Sequence, residues 1–178
     1  MVFWEKISHS KFERLVLDYA QSIEPNLEWI PTPPSGDGNK DIYLQESKKI
    51  FNIDITSQYW VEAKYNEKCG SISKGQLDPT LVSGYLAGNV QVILFITNGR
   101  FPESYIGRAE KFCKGLNCNV RFIDGVELEH WLGHNLSIYK KYFNGDNISS
   151  IKVLSFNIRY AYFISVNEFN RGIRKCFI

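Results

Sequence analysis

Little in this 178-residue chain is extreme, and several common signals are missing. None of its four cysteines, Cys69, Cys113, Cys118 and Cys176, forms a Cys-x-x-Cys pair, and no paired-histidine motif accompanies them. That spacing argues against a structural zinc site and reads as reduced thiols in a cytosolic protein. The three histidines, His9, His130 and His134, are scattered, so no serine or cysteine nucleophile has an evident relay partner. Gly36-Asp37-Gly38 lacks the Gly-Lys-Ser ending of a nucleotide-binding P-loop. After Met1-Val2-Phe3-Trp4 the chain turns polar, and no apolar run is long enough for a signal peptide or a membrane span. A strong charge of either sign is also absent. The formal net charge is +2, too small for a sequence-independent nucleic-acid coat protein. It still allows a protein whose carboxylates offset its lysines locally. No internal repeat or low-complexity tract is visible.

What is present is the composition of a folded α/β chain, with 44% apolar and 22% charged residues. Phe12, Leu15, Val16, Tyr19 and Ala20 recur at helical spacing, predicting a helix over Ser10–Ser22 capped by Ser8 or Ser10. Leu27–Ile30 reads as a short strand stopped by Pro31. Asp41–Leu44 reads as a strand opening after a glycine-rich loop, and Lys48–Thr56 as a further one. Tyr59–Tyr65 is aromatic and β-branched, as strands are. A helix over Gln76–Ala87 follows, with Pro79 in its first turn. Gln91–Thr97 is a continuous apolar run, expected of a strand buried on both faces. Helix Glu103–Lys114, strand Val120–Ile123 and a short helix Val126–Leu132 complete the alternation, which implies a partly parallel sheet with helices on it. Aromatic residues make up 15% of the chain, many of them after residue 139. The stretch from 146 to 178 is expected to be β-rich, either a dimerising strand or the start of a second domain.

Two short elements carry the chemistry. Gly36-Asp37-Gly38-Asn39-Lys40-Asp41 delivers an aspartate at a strand start, with Asp37 itself read as a turn former. Glu62-Ala63-Lys64 lies within a strand, so Glu62 and Lys64 share one face and Ala63 points the other way, into the core. Adjacent strands would bring Asp41 and Glu62 to one magnesium ion. Phosphodiester hydrolysis needs such a set: hard oxygen ligands for the cation, and a lysine to orient water and stabilise developing charge. Lys74 and Gln76 precede a helix N-terminus, where backbone N–H groups suit a phosphate, and are candidate DNA contacts.

The order of a helical glutamate, Gly-Asp-Gly-x-x-Asp and then Glu-x-Lys resembles the PD-(D/E)XK nuclease superfamily, and more closely the Mrr-type restriction endonuclease domains. The matching stretches are Phe12-Glu13, Gly36–Asp41, Val61–Lys64, Phe95–Asn98 and Phe122–Leu128, spanning roughly residues 10 to 133. The resemblance implies a restriction-endonuclease-like core over residues 1–145, with a central mixed sheet flanked by helices. It implies Asp41, Glu62 and the Ala63 carbonyl as ligands of Mg2+, with Mn2+ as a substitute, and Lys64 as the residue that positions the attacking water. Glu13 would be the helix carboxylate that helps hold the metal or its water. Some Mrr-type members have glutamine where this chain has Glu62. The stretch Asp78–Gly84 resembles a subgroup in which the nuclease domain heads a larger bacterial antiviral protein with an NTPase engine. The function implied is a cytoplasmic metal-dependent DNA endonuclease, an effector of restriction or antiviral defence. DNA would be its partner, with a second copy of the chain and further domains beside it. Two alternatives stand beside it: a catalytically silent DNA-binding or assembly module of the same fold, and a glycosidase using Asp41 and Glu62 as an acid–base pair.

Overall fold

Ser8 starts the first helix by accepting a hydrogen bond from the Lys11 amide. Helix α1 (His9–Ile23) then lays Phe12, Leu15, Val16 and Tyr19 along one buried stripe. The computed structural model describes residues 2–33 and 40–143. Within them a single sheet of order β1-β2-β3-β4-β5 organises everything else. Its strands are β1 (Ile30–Pro31), β2 (Ile42–Ile50), β3 (Ile53–Lys64), β4 (Val90–Thr97) and β5 (Asn119–Ile123). The first three pair antiparallel and the last three parallel. This is the mixed sheet flanked by helices that the sequence predicts.

Each parallel connection carries a helix: α2 (Asp78–Ala87) between β3 and β4, and α3 (Glu103–Lys114) between β4 and β5. Leu77, Leu81, Tyr105, Ala109 and Cys113 pack with Trp60, Ile93 and Phe95 on one face of the sheet. The other face carries Ile42, Val61, Ala63 and Ile96, covered by α1, α4 (Gly125–His134) and α5 (Leu136–Phe143). Strand β3 therefore sends Trp60 and Glu62 to the α2/α3 side and Val61 and Ala63 to the α1 side, as alternation requires. No helix among the described residues is long and apolar enough to cross a membrane.

Three elements differ from the sequence reading. Lys48–Thr56 is not a separate strand but the tip of one long β2–β3 hairpin. It turns at Phe51 and Asn52, both with positive φ (50° and 64°), the backbone of a two-residue type I′ turn. Asn tolerates that conformation and Phe does so only at a cost, which is why the turn left no Gly signal to read. Strand β1 includes Pro31, which an edge strand tolerates. Helix α5 was not anticipated. The expected β-rich segment from 146 onward, and Asp37, lie outside the described residues.

The Ile123-Asp124-Gly125 stretch is a joint rather than a reactive group. Asp124 caps α4 by accepting from the amides of Val126 and Glu127 at 2.9 and 3.0 Å. Gly125 donates to the Gly99 carbonyl at 2.8 Å. A Cβ at Gly125 would sit 2.3 Å from the Asn98 carbonyl oxygen, so only glycine lets the two loops close. Gly125→Ala is expected to destabilise the fold by about 1–3 kcal/mol through that overlap, and Asp124→Ala by about 1 kcal/mol through loss of the cap. Urea denaturation midpoints read both; an unshifted midpoint for Gly125→Ala would contradict the close approach.

Candidate active site at the β2–β3 junction

Asp41 sits just before β2, and its backbone is tied on both sides. Its amide donates to the Val61 carbonyl at 3.0 Å, and its carbonyl accepts from the Thr32 amide at 2.7 Å. The register pairs Ile42 with Val61 and continues to Ile50 opposite Ile53. The side chain is held as firmly: Oδ2 accepts from the Ala63 amide at 2.6 Å. A residue 22 positions away in sequence is thereby placed against the middle of Glu62-Ala63-Lys64.

Glu62 is 4% exposed. Its Oε1 pairs with the Lys64 ammonium, while Oε2 is buried with no hydrogen-bond partner. Burial first, and then the Asp41 charge, raise the Glu62 carboxyl, Lys64 opposes both, and the outcome is a carboxyl pushed up to about 7. Asp41 is also raised by burial, against the Ala63 amide, Lys64 and His9, which favour its charged form. Asp41, Glu62 and Lys64 thus form one electrostatically coupled group on the α2/α3 face, and Ala63 turns into the α1-side core.

Three residues that the sequence reading did not single out build this group's frame. Thr97, fully buried at the end of β4, donates its hydroxyl to the Lys64 carbonyl at 2.6 Å and accepts from the Gly99 amide. Asn98 clamps Asn66, accepting from its amide at 2.7 Å and donating to its carbonyl at 2.8 Å. These buried bonds fix the chain as it leaves β3. Thr97 and Asn98 both lie in the Phe95–Asn98 stretch that carries part of the family resemblance, which assigned them no role. His9, on the first turn of α1, pairs its Nδ1 with Glu13 Oε1 at 3.0 Å.

The remaining expected site residues are placed as follows. Glu13 is close enough to raise the Glu62 carboxyl slightly, yet its own carboxylate is engaged by His9. Gln76 closes a capping box, accepting from the Ser73 amide and hydroxyl at 3.0 and 2.9 Å. Lys74 is exposed beside it. Lys40, preceding Asp41, stands over the Trp60 ring at 4.4 Å from its centroid.

The donor set fits a divalent cation. Two carboxylates share a buried site at the cost of raised proton affinity, and one oxygen, Glu62 Oε2, is buried without a partner. A cation between them would relieve both conditions. Magnesium in particular is commonly held by one or two carboxylates, with waters and phosphate oxygens completing its shell. Among the described residues no three His, Cys, Asp or Glu side chains gather closely enough to hold an ion by themselves.

Comparison with known proteins gives the family. The family model described as "Restriction endonuclease", the Mrr catalytic domain, matches residues 4–132. The MspJI restriction endonuclease, solved in complex with a 27-mer oligonucleotide, superposes with a TM-score of 0.49 at 17% identity, over 82% of this chain and 35% of that chain. The DNA modification-dependent restriction endonuclease AspBHI superposes with a TM-score of 0.43 at 10% identity, over 82% of this chain and 42% of that one. The chain therefore spans well under half the length of either. No curated protein matches it.

The Glu62 shift gives a pH prediction. Its folded proton affinity exceeds that of an ordinary glutamate, which titrates at 4.5, so the unfolded chain releases the proton first as pH rises. Stability is therefore lost between about pH 4.5 and pH 7, by at most about 3 kcal/mol. Glu62→Gln removes this dependence. In urea denaturation with EDTA, the variant is expected to gain on the wild type from about pH 5 to about pH 8. Parallel stability profiles would contradict the assigned burial.

Proposed function

The chain belongs to the restriction endonuclease family, and on that premise we propose that it hydrolyses DNA phosphodiester bonds with magnesium bound at Asp41 and Glu62. The observation that carries the proposal is the buried Glu62 Oε2, left without a partner beside a second carboxylate. Burying two carboxylates together weakens a fold, and Lys64 and the Ala63 amide offset that only in part. The expense is understandable if it prepares a cation site. A silent module of the same fold has no use for it.

Asp41 and Glu62 would hold the cation, with the Ala63 carbonyl as a third ligand. When bound, the cation supplies positive charge that lowers the proton affinity of water and stabilises the phosphorane-like transition state. The chain's own residues do the rest. Asp41 is oriented by the Ala63 amide, which favours its charged form against the effect of burial. Lys64, held by the Glu62 carboxylate and anchored through Thr97 at its carbonyl, would orient the attacking water and neutralise charge on the phosphate. The water oxygen bonds to phosphorus as the phosphorus–oxygen bond to the departing sugar breaks; the water's proton leaves and the sugar oxygen gains one. Glu13, with His9 on it, would stand at the rim of the site. Lys74 would contact the DNA backbone from its exposed turn. Because each site can cut one strand, we assign double-strand cleavage to a self-associated form. Restriction or antiviral defence is the setting this activity suits.

The test is cleavage of supercoiled plasmid by the full chain with magnesium, with manganese, or with EDTA. Cleavage in either metal and none in EDTA is expected. Asp41→Ala and Lys64→Ala should each lower the rate at least ~100-fold. Metal-independent cutting, or full activity in Asp41→Ala, would overturn the mechanism. DNA binding without cutting under any metal would favour the silent module.

A further inference from the structure

The β2–β3 hairpin runs well past the rest of the sheet. Strand β4 pairs with β3 only from Gln58 onward, and β1 pairs with β2 only at Ile42 and Tyr43. Five pairs, from Glu46 opposite Ser57 to Ile50 opposite Ile53, therefore form a two-stranded arm with no other strand beside it among the described residues. Such ribbons are marginal on their own, and an open edge with apolar side chains invites another strand. The arm meets both conditions. Ile50, Ile53 and Ile55 lie on one of its faces, with Ile53 65% exposed, and Phe51 at the tip is 96% exposed.

We propose that this arm is a dimer contact, in which the Leu44–Ile50 edge of β2 pairs antiparallel with the same edge of a second copy, centred on Ser47. The free edge has seven residues, because β1 closes it at Tyr43 and the turn closes it at Phe51. Its midpoint is Ser47, and pairing about that midpoint uses the whole edge. In this register Glu46 faces the partner's Lys48, and Lys48 faces the partner's Glu46. A one-step shift centred on Lys48 would set lysine against lysine, so charge selects the Ser47 register. Ile50 comes to lie beside the partner's Leu44, and the Phe51 tip meets the partner's Ile30 at the start of its β1.

Nucleic acid is a poorer occupant. Lys48 and Lys49 are balanced by Glu46 and Asp54, and Lys49 already pairs with Asp54 at 3.9 Å. A neutral arm has nothing to draw phosphates. The arm also points away from the chemistry, since Asp41 and Glu62 lie at the other end of the hairpin. A twofold axis through Ser47 leaves both catalytic groups on the same face of the joined sheet. They would be about 40 Å apart, from six residues of strand at ~3.4 Å on each side, roughly twelve base pairs of a duplex.

The inference rests on the self-association assigned above, but its test involves neither metal nor DNA, so failure of the nuclease mechanism would leave it standing. Sedimentation of the full chain should show a dimer at concentrations on the order of 100 μM, as a small interface allows. Lys48→Glu and Glu46→Lys place like charges opposite each other at two points and should each weaken the dimer at least ~10-fold. The double swap Glu46→Lys/Lys48→Glu restores opposite charges and should recover the wild-type constant within ~3-fold. Ser47→Pro, which removes an edge donor without altering charge, should also dissociate it. A monomeric wild type, a Lys48→Glu dimer of unchanged strength, or single and double swaps equally impaired would overturn the proposal.

Discussion

One contact decides where the chemistry sits: the Asp41 carboxylate accepting the Ala63 amide across the mouth of the β2–β3 hairpin. It depends on register. The two-residue turn at Phe51-Asn52 sets Ile42 opposite Val61. A slip of one residue on β3 would carry Glu62 and Lys64 to the α1 face, into the space filled by Phe12 and Leu15. Core packing on that side therefore also enforces the geometry of the candidate site. Ala63 must point into the core, so its neighbours cannot. The same amide that satisfies Asp41 belongs to the residue whose burial sets the register.

The electrostatic consequence is a site that is uncomfortable when empty of positive charge. Glu62 is desolvated by its burial, repelled by Asp41 and only partly relieved by Lys64. The fold tolerates this because it is anchored around the group: Thr97 on the Lys64 carbonyl, Asn98 on Asn66, and Gly125 closing the β4–α3 loop against α4. These are neutral, fully paired hydrogen bonds. The electrostatic tension thus centres on two carboxylates facing a place where a cation and a phosphate could sit, while Thr97, Asn98 and Gly125 are hydrogen-bonded around them.

Much of this was legible in the residue order. The alternation of strands with helices, around the continuous apolar run Gln91–Thr97, identified the parallel β3–β4–β5 unit. The Gly-rich loop before Asp41, read together with Glu62-x-Lys64, pointed to the carboxylate pair before any contact was known. The hairpin was not legible, because a turn built on Phe51 and Asn52 lacks the glycine that usually marks one, and Lys48–Thr56 therefore looked like a strand of its own. Register between β2 and β3 cannot be read from either strand alone. The roles of Thr97 and Asn98 depended on it, since a buried hydroxyl at the end of an apolar strand has no meaning until its acceptor is known. His9 carried no signal because the three histidines are scattered without relay spacing, and its i,i+4 pairing with Glu13 shows only in the folded helix.

The central claim is that Asp41 and Glu62 converge on one cation, and anomalous scattering from crystals of the full chain soaked in manganese addresses it most directly. The account predicts a single strong peak bridging the Asp41 and Glu62 carboxylates, within coordination distance of Glu62 Oε2 and beside the Ala63 carbonyl, and its loss in Glu62→Gln. A fully soaked crystal with no peak between those carboxylates, or with its only ordered manganese elsewhere on the surface, would contradict it.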